Sequence, residues 1–88
     1  VSNFAGHELL RDTLALAVPL RIMELRHRPE WEREALLSWA KGQFRYADVM
    51  MFDPQRKPGQ LKHLIDILAL MALTADGGVE FAGMRYCA

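Results

Sequence analysis

The segment from Leu61 to Ala75 constrains the fold more than any other. All of it is apolar except Lys62, His63, Asp66 and Thr74. Leu61, Leu64, Ile65, Leu68, Met71, Ala72 and Ala75 recur at helical spacing, while Ile67, Leu70 and Leu73 cover much of the remaining circumference. A helix that is apolar nearly all round must be covered nearly all round. It is too short to span a bilayer, which takes about 20 apolar residues. The pattern therefore predicts a buried helix against which the other elements are arranged.

Arg28-Pro29, the stretch from Asp53-Pro54 to Pro58-Gly59, and Gly77-Gly78 punctuate the chain. Between these marks the spacing predicts helices over residues 5–27, 29–51 and 59–76. In the first, Leu10, Leu14, Ala17, Val18 and Leu25 form the apolar stripe, and no charge occurs from Thr13 to Leu20. Pro19 lies inside it and lacks the N–H that would bond four residues back, so a kink or a break is expected there. In the second, Pro29 suits the first helical position, and Glu30, Glu32 and Glu34 favour the positive end of the helix dipole. Its stripe is Trp31, Ala35, Trp39, Gly42, Tyr46 and Val49, widened by Leu36, Ala40 and Phe44. The short Arg28-Pro29 joint predicts that the first two helices form an antiparallel hairpin.

After the glycine cap at Asp76-Gly77-Gly78, the last ten residues read as an extended tail. Val79 and Phe81 alternate, and the phase changes at Gly83 before Met84 and Tyr86, as in a strand with a bulge folding back over the third helix. A partner strand would come from the residues near Phe4 or from a second copy of the chain. The predicted fold is mainly all-α. It is a three-helix bundle with an apolar central third helix and a short extended C-terminal tail, in one domain over residues 1–88.

Composition bounds the function. The 88 residues carry 11 basic and 11 acidic side chains and one cysteine. Balanced charge removes the simplest electrostatic case for nonspecific binding to nucleic acid or to an anionic membrane. One cysteine excludes an internal disulfide framework and a cysteine-based zinc site. An apolar content of 51% argues against a disordered chain. The first residues show no signal-peptide pattern, so a cytoplasmic location is expected. The leading Val, with Ala-, Arg- and Leu-rich usage, suits an alternative start codon in a high-GC bacterial or phage genome.

Few residues carry the marks of chemistry. His63 and Asp66 lie three apart, and with His7, Glu8 or Asp12 they would suit a metal site inside a bundle. Ion pairing of Asp66 with Arg11, Arg21, Arg45 or Lys62 is the preferred reading, since a lone carboxylate in dry surroundings is costly. No metal or other cofactor is expected. Cys87 has no neighbouring base in the sequence to activate it, and Gly77-Gly78 lacks the Lys and Ser or Thr of a phosphate-binding loop. No catalytic residue is expected, nor is an enzyme.

Residues 35–63 hold five basic and two acidic side chains, whereas positions 1–34 hold five and six. Phe52, Arg56, Lys57, Lys62 and His63 are accordingly the candidate partner-binding residues, an aromatic anchor with a basic rim. A helix-turn-helix reading fails, because the third helix would offer Leu, Ile and Met to base edges.

The expected function is a noncatalytic protein–protein interaction module. Its setting would be that of a phage or bacterial accessory protein that binds and inhibits or modulates a partner protein. Self-association as a homodimer is expected from surplus apolar surface on the first and third helices. The alternative is a nucleic-acid-associated protein using the basic segment 45–63. A small metal-dependent bundle enzyme is the third reading.

Overall fold

The computed structural model describes residues 2–43 and 58–88, with side chains described over 8–43 and 59–88. Its elements, in order, are α1 (Ser2–Leu25), α2 (Glu30–Gln43), α3 (Pro58–Thr74), β1 (Val79–Phe81) and β2 (Met84–Tyr86). The chain is mostly helical, with one small two-stranded sheet.

α1 continues through Pro19 as one helix, as expected over residues 5–27, and of the kink or break expected at Pro19 the break does not occur. Proline inside a helix costs about 3 kcal/mol. On the other side of the same turns Val18, Ile22 and Leu25 are buried, each worth about 1.5–3 kcal/mol. Packing therefore outweighs the lost hydrogen bond, and Pro19 itself faces solvent. The helix ends in tightening turns, with Arg26 N–H donating to the Ile22 carbonyl at 2.9 Å and Arg28 N–H to the Leu25 carbonyl at 3.0 Å. α2 then opens at Pro29, whose carbonyl accepts from the N–H groups of Glu32 and Arg33, both at 3.1 Å.

α3 packs against α1, α2 and both strands. Leu64, Ile67, Leu68, Ala69, Leu70 and Ala72 are buried, and they join Leu10, Leu14, Val18, Ile22, Leu25 and Tyr86 to make the core. Among the described residues the expected hairpin of the first two helices is not formed. α1 and α2 each pack on α3, and hardly touch one another. The physical reason lies in α3, which offers apolar side chains on more than one side and so receives one face of each helix.

Of the stripe expected on α2, the flank at Leu36 and Ala40 turns inward, and the line through Trp31 and Trp39 does not. Leu36, Leu37 and Ala40 turn inward, with Ala40 fully buried. Trp31 and Trp39 are 71% and 54% exposed, and Ala35 and Gly42 between and beyond them are exposed too. Small Ala40 lets α2 approach α3 closely, which two indole rings on that side would prevent. The remainder of the predicted stripe, Phe44, Tyr46 and Val49, lies outside the described residues.

The C-terminal segment is a β-hairpin and not a single strand. β1 and β2 pair antiparallel in the register Val79–Tyr86, Glu80–Arg85 and Phe81–Met84. Its partner is thus neither the region of Phe4 nor a second copy. Ala82 and Gly83 form the two-residue turn with φ of 51° and 78°, the positive pair that a type I′ turn requires. The phase change read as a bulge is this reversal. Arg85 reaches across to Glu80 at 3.3 Å and donates to the Gly77 carbonyl at 2.9 Å. Tyr86 is buried against the helices.

Candidate interaction surface

Asp66 is the one buried charged side chain among the described residues, at 3% exposure. Helical phase directs it toward α1, where Arg21 Nε donates to its Oδ1 at 2.7 Å. Arg21 also donates to Glu24 Oε2 at 2.8 Å, so one guanidinium serves two carboxylates. Burial acts to lower the Arg21 pKa, but its bonds to Asp66 and Glu24 outweigh that and hold it above its ordinary value. Of the four partners that the sequence offered, the fold selects Arg21. The pair ties α1 to α3 and leaves no free carboxylate for chemistry at this point.

His63 goes elsewhere. Its ring stands edge-on to Trp39 of α2, with centroids 4.9 Å apart and planes at 73°, a favoured aromatic geometry. Its Nδ1 is buried and has no hydrogen-bond partner among the described residues, and the same holds for Gln60 Oε1 one turn earlier. Lys62, between them, is exposed. The structure therefore does not bring His63 and Asp66 together. Among the described residues no group of three or more His, Cys, Asp or Glu side chains converges on a metal-sized space. Phe52, Arg56 and Lys57 lie outside the described residues, so the rest of the candidate docking loop has no structural description.

Cys87 is exposed beside the hairpin. An open groove of about 450 Å³ lies between α1 and β2, lined by Glu8, Arg11, Asp12, Ala15 and Met84. Burial raises the Tyr86 pKa nearby, and Arg11 acts against that rise. The groove holds one cation between two exposed carboxylates and no nucleophile, so its chemistry is that of a solvated polar seam.

The more unusual surface is apolar. Leu9, Leu16, Leu20 and Met23 are 52%, 74%, 61% and 62% exposed on α1, and Trp31 and Trp39 add to them on α2. Single exposed apolar residues are ordinary on soluble proteins. Four aliphatic side chains aligned along one helix are not. The sequence contained the signal for this face, since residues 9, 16 and 23 repeat every seven positions, opposite the stripe of Leu10, Leu14 and Val18. The uncharged middle of α1 is where that second stripe runs.

Among the described residues no helix is long and apolar enough to cross a membrane. Comparison of the chain with protein-family models, with curated proteins and with solved structures finds no match.

Proposed function

We propose that this chain is a noncatalytic protein–protein interaction module, a three-helix bundle with α3 as its apolar central helix, that self-associates and binds and modulates a partner protein. The observation that carries this reading is the exposure of six large apolar side chains in two helical stripes, Leu9, Leu16, Leu20 and Met23 on α1 and Trp31 and Trp39 on α2. Both helices already bury their other faces on α3, so these stripes are surplus to the fold. Exposed patches of more than a few hundred Å² mark interaction surfaces on soluble proteins, and tryptophan is enriched at binding hot spots. A cytoplasmic setting in a bacterium or its phage, as an accessory or inhibitory protein, suits a small domain of balanced charge. Phe52, Arg56, Lys57, Lys62 and His63 complete the proposed partner-binding set, with His63 meeting Trp39 at its edge.

The test compares three forms of the chain as affinity baits in host lysate: wild type, Trp31→Ala/Trp39→Ala, and Phe52→Ala/Arg56→Ala/Lys57→Ala. One protein retained by wild type, resistant to nuclease, and lost from a variant of unchanged melting temperature supports the reading. Capture that nuclease abolishes and that falls steeply with salt would instead establish the nucleic-acid reading through residues 45–63. Retention of the same protein by both variants rejects the named surfaces.

A further inference from the structure

We propose that the outer face of α1 is a twofold, antiparallel interface with a second copy of this chain, in the register that sets Leu16 of each copy against Leu20 of the other. The inference rests on the self-association reading above and deepens it by naming the face, the register and the ion pairs that fix it.

The spacing is the first argument. Leu9, Thr13, Leu16, Leu20 and Met23 follow alternating steps of four and three residues, the seam pattern of paired helices. At about 100° per residue this seam lies on the far side of α1 from Leu10, Leu14, Val18, Ile22 and Leu25, all of which are buried in the chain's own core. One helix therefore carries two separate apolar faces, and the fold uses one.

Charge selects the occupant and its direction. Asp12, and Arg26 in the turn just past α1 where its N–H still bonds the Ile22 carbonyl, fall at equivalent flanking positions of the seam, two heptads apart, both exposed and neither in an ion pair among the described residues. An antiparallel pairing that seats Leu16 against Leu20, and Thr13 against Met23, also places Asp12 of one copy opposite Arg26 of the other. Twofold symmetry repeats the pair, so two ion pairs bracket the apolar layers. A parallel pairing offers neither charge an opposite partner, and it aligns the two helix dipoles unfavourably. The seam between the brackets carries no charge from Thr13 to Leu20. A second copy thus supplies both the apolar and the charged complement that this face lacks.

Sedimentation equilibrium of the full chain, wild type and variants, decides the matter, with circular dichroism as the fold control. Wild type is expected to be a dimer at micromolar concentration. Leu16→Glu/Leu20→Glu should be a monomer with an unchanged helical spectrum, because both side chains point away from the core. Asp12→Arg alone and Arg26→Asp alone should each weaken association by about tenfold. The double reversal Asp12→Arg/Arg26→Asp should restore it to within about twofold, since the swapped charges again face their opposites. A wild type that stays monomeric throughout overturns both self-association and this face. A dimer that persists in Leu16→Glu/Leu20→Glu leaves self-association standing and overturns the face alone. Failure of the double reversal to restore pairing overturns the register.

Discussion

Arg21 Nε donates to Asp66 Oδ1 at 2.7 Å, across 45 positions of sequence, and this bond joins α1 to α3 at the border of the core. Asp66 is buried, whereas the Arg21 side chain keeps 26% of its surface in water. The two ends of the bond are therefore unequal. Losing the arginine strands a buried carboxylate, while losing the carboxylate releases a cation that already reaches solvent.

Arg21→Ala is accordingly expected to destabilise the chain by about 2–4 kcal/mol, somewhat below the loss typical when a fully buried pair is broken. The double change Arg21→Met/Asp66→Leu should recover most of that, because apolar replacements of similar volume often substitute for a buried pair without net cost. Urea unfolding of the two variants and wild type checks both statements.

Burial on α3 and exposure on α2 lead to opposite expectations for large side chains. Leu68→Ala should cost about 2–5 kcal/mol as a truncation inside the core. Trp31→Ala removes far more atoms, yet it should change stability by no more than about 0.5 kcal/mol, since the indole is largely in water. Equal losses from the two substitutions would show that Trp31 packs in the core.

Two positions at the hairpin should respond in opposite ways to substitution, Gly78 and Ala82. A Cβ on Gly78 would overlap the backbone carbonyl of Tyr86 and stand 2.8 Å from Cys87 Cβ, at a φ of 81°. Gly78→Ala should therefore cost about 2–4 kcal/mol, combining the left-handed backbone penalty with overpacking against backbone. Ala82 adopts a φ of 51° without being glycine. Ala82→Asn creates the Asn-Gly pair that type I′ turns prefer and should raise stability by about 0.5–1 kcal/mol. Thermal melts of these two variants are expected to move in opposite directions.

Tyr86 sets an alkaline limit. Burial raises its phenol above the ordinary value of 10.0, with nearby Arg11 opposing. The folded state thus favours the protonated phenol. Its contribution is fully present below about pH 10 and is lost as pH rises through the higher folded value. Unfolding free energy should fall above about pH 10, and Tyr86→Phe should flatten that fall while leaving stability at pH 7 nearly unchanged. An identical alkaline slope in both proteins would place the titrating group elsewhere.

The helical class, the bounds of the first and third helices and the start of the second were legible in the chain, while the expected end of the second at residue 51 lies outside the described residues. The turn signals at Arg28-Pro29, Pro58-Gly59 and Gly77-Gly78 mark ends that the structure places within a few residues. Local chemistry explains that success: proline and glycine act through their own backbone torsions, and helical spacing is a property of neighbours along the chain. Asp66 was legible in the same way, since a carboxylate amid Leu and Ile must find a cation. The choice of Arg21 from four cations was not legible, because it depends on which turn of α1 passes α3.

Which apolar face of α2 turns inward was settled by packing. On α1 the stripe of Leu10, Leu14, Val18 and Leu25 read from spacing is the one that is buried, but α2 carries large apolar side chains on two faces, and spacing did not rank them. Contact with α3 ranked them, choosing Leu36, Leu37 and Ala40 over Trp31 and Trp39 because a small residue permits close approach. It likewise separated α1 from α2, which chain proximity had paired, by giving each a place on α3. The hairpin escaped the sequence for a related reason. Ala-Gly is a weak turn signal, and it becomes a type I′ reversal only where Tyr86 and Phe81 gain cover from the helices beneath. Torsions belong to the residue, whereas the side that faces inward belongs to whatever lies opposite.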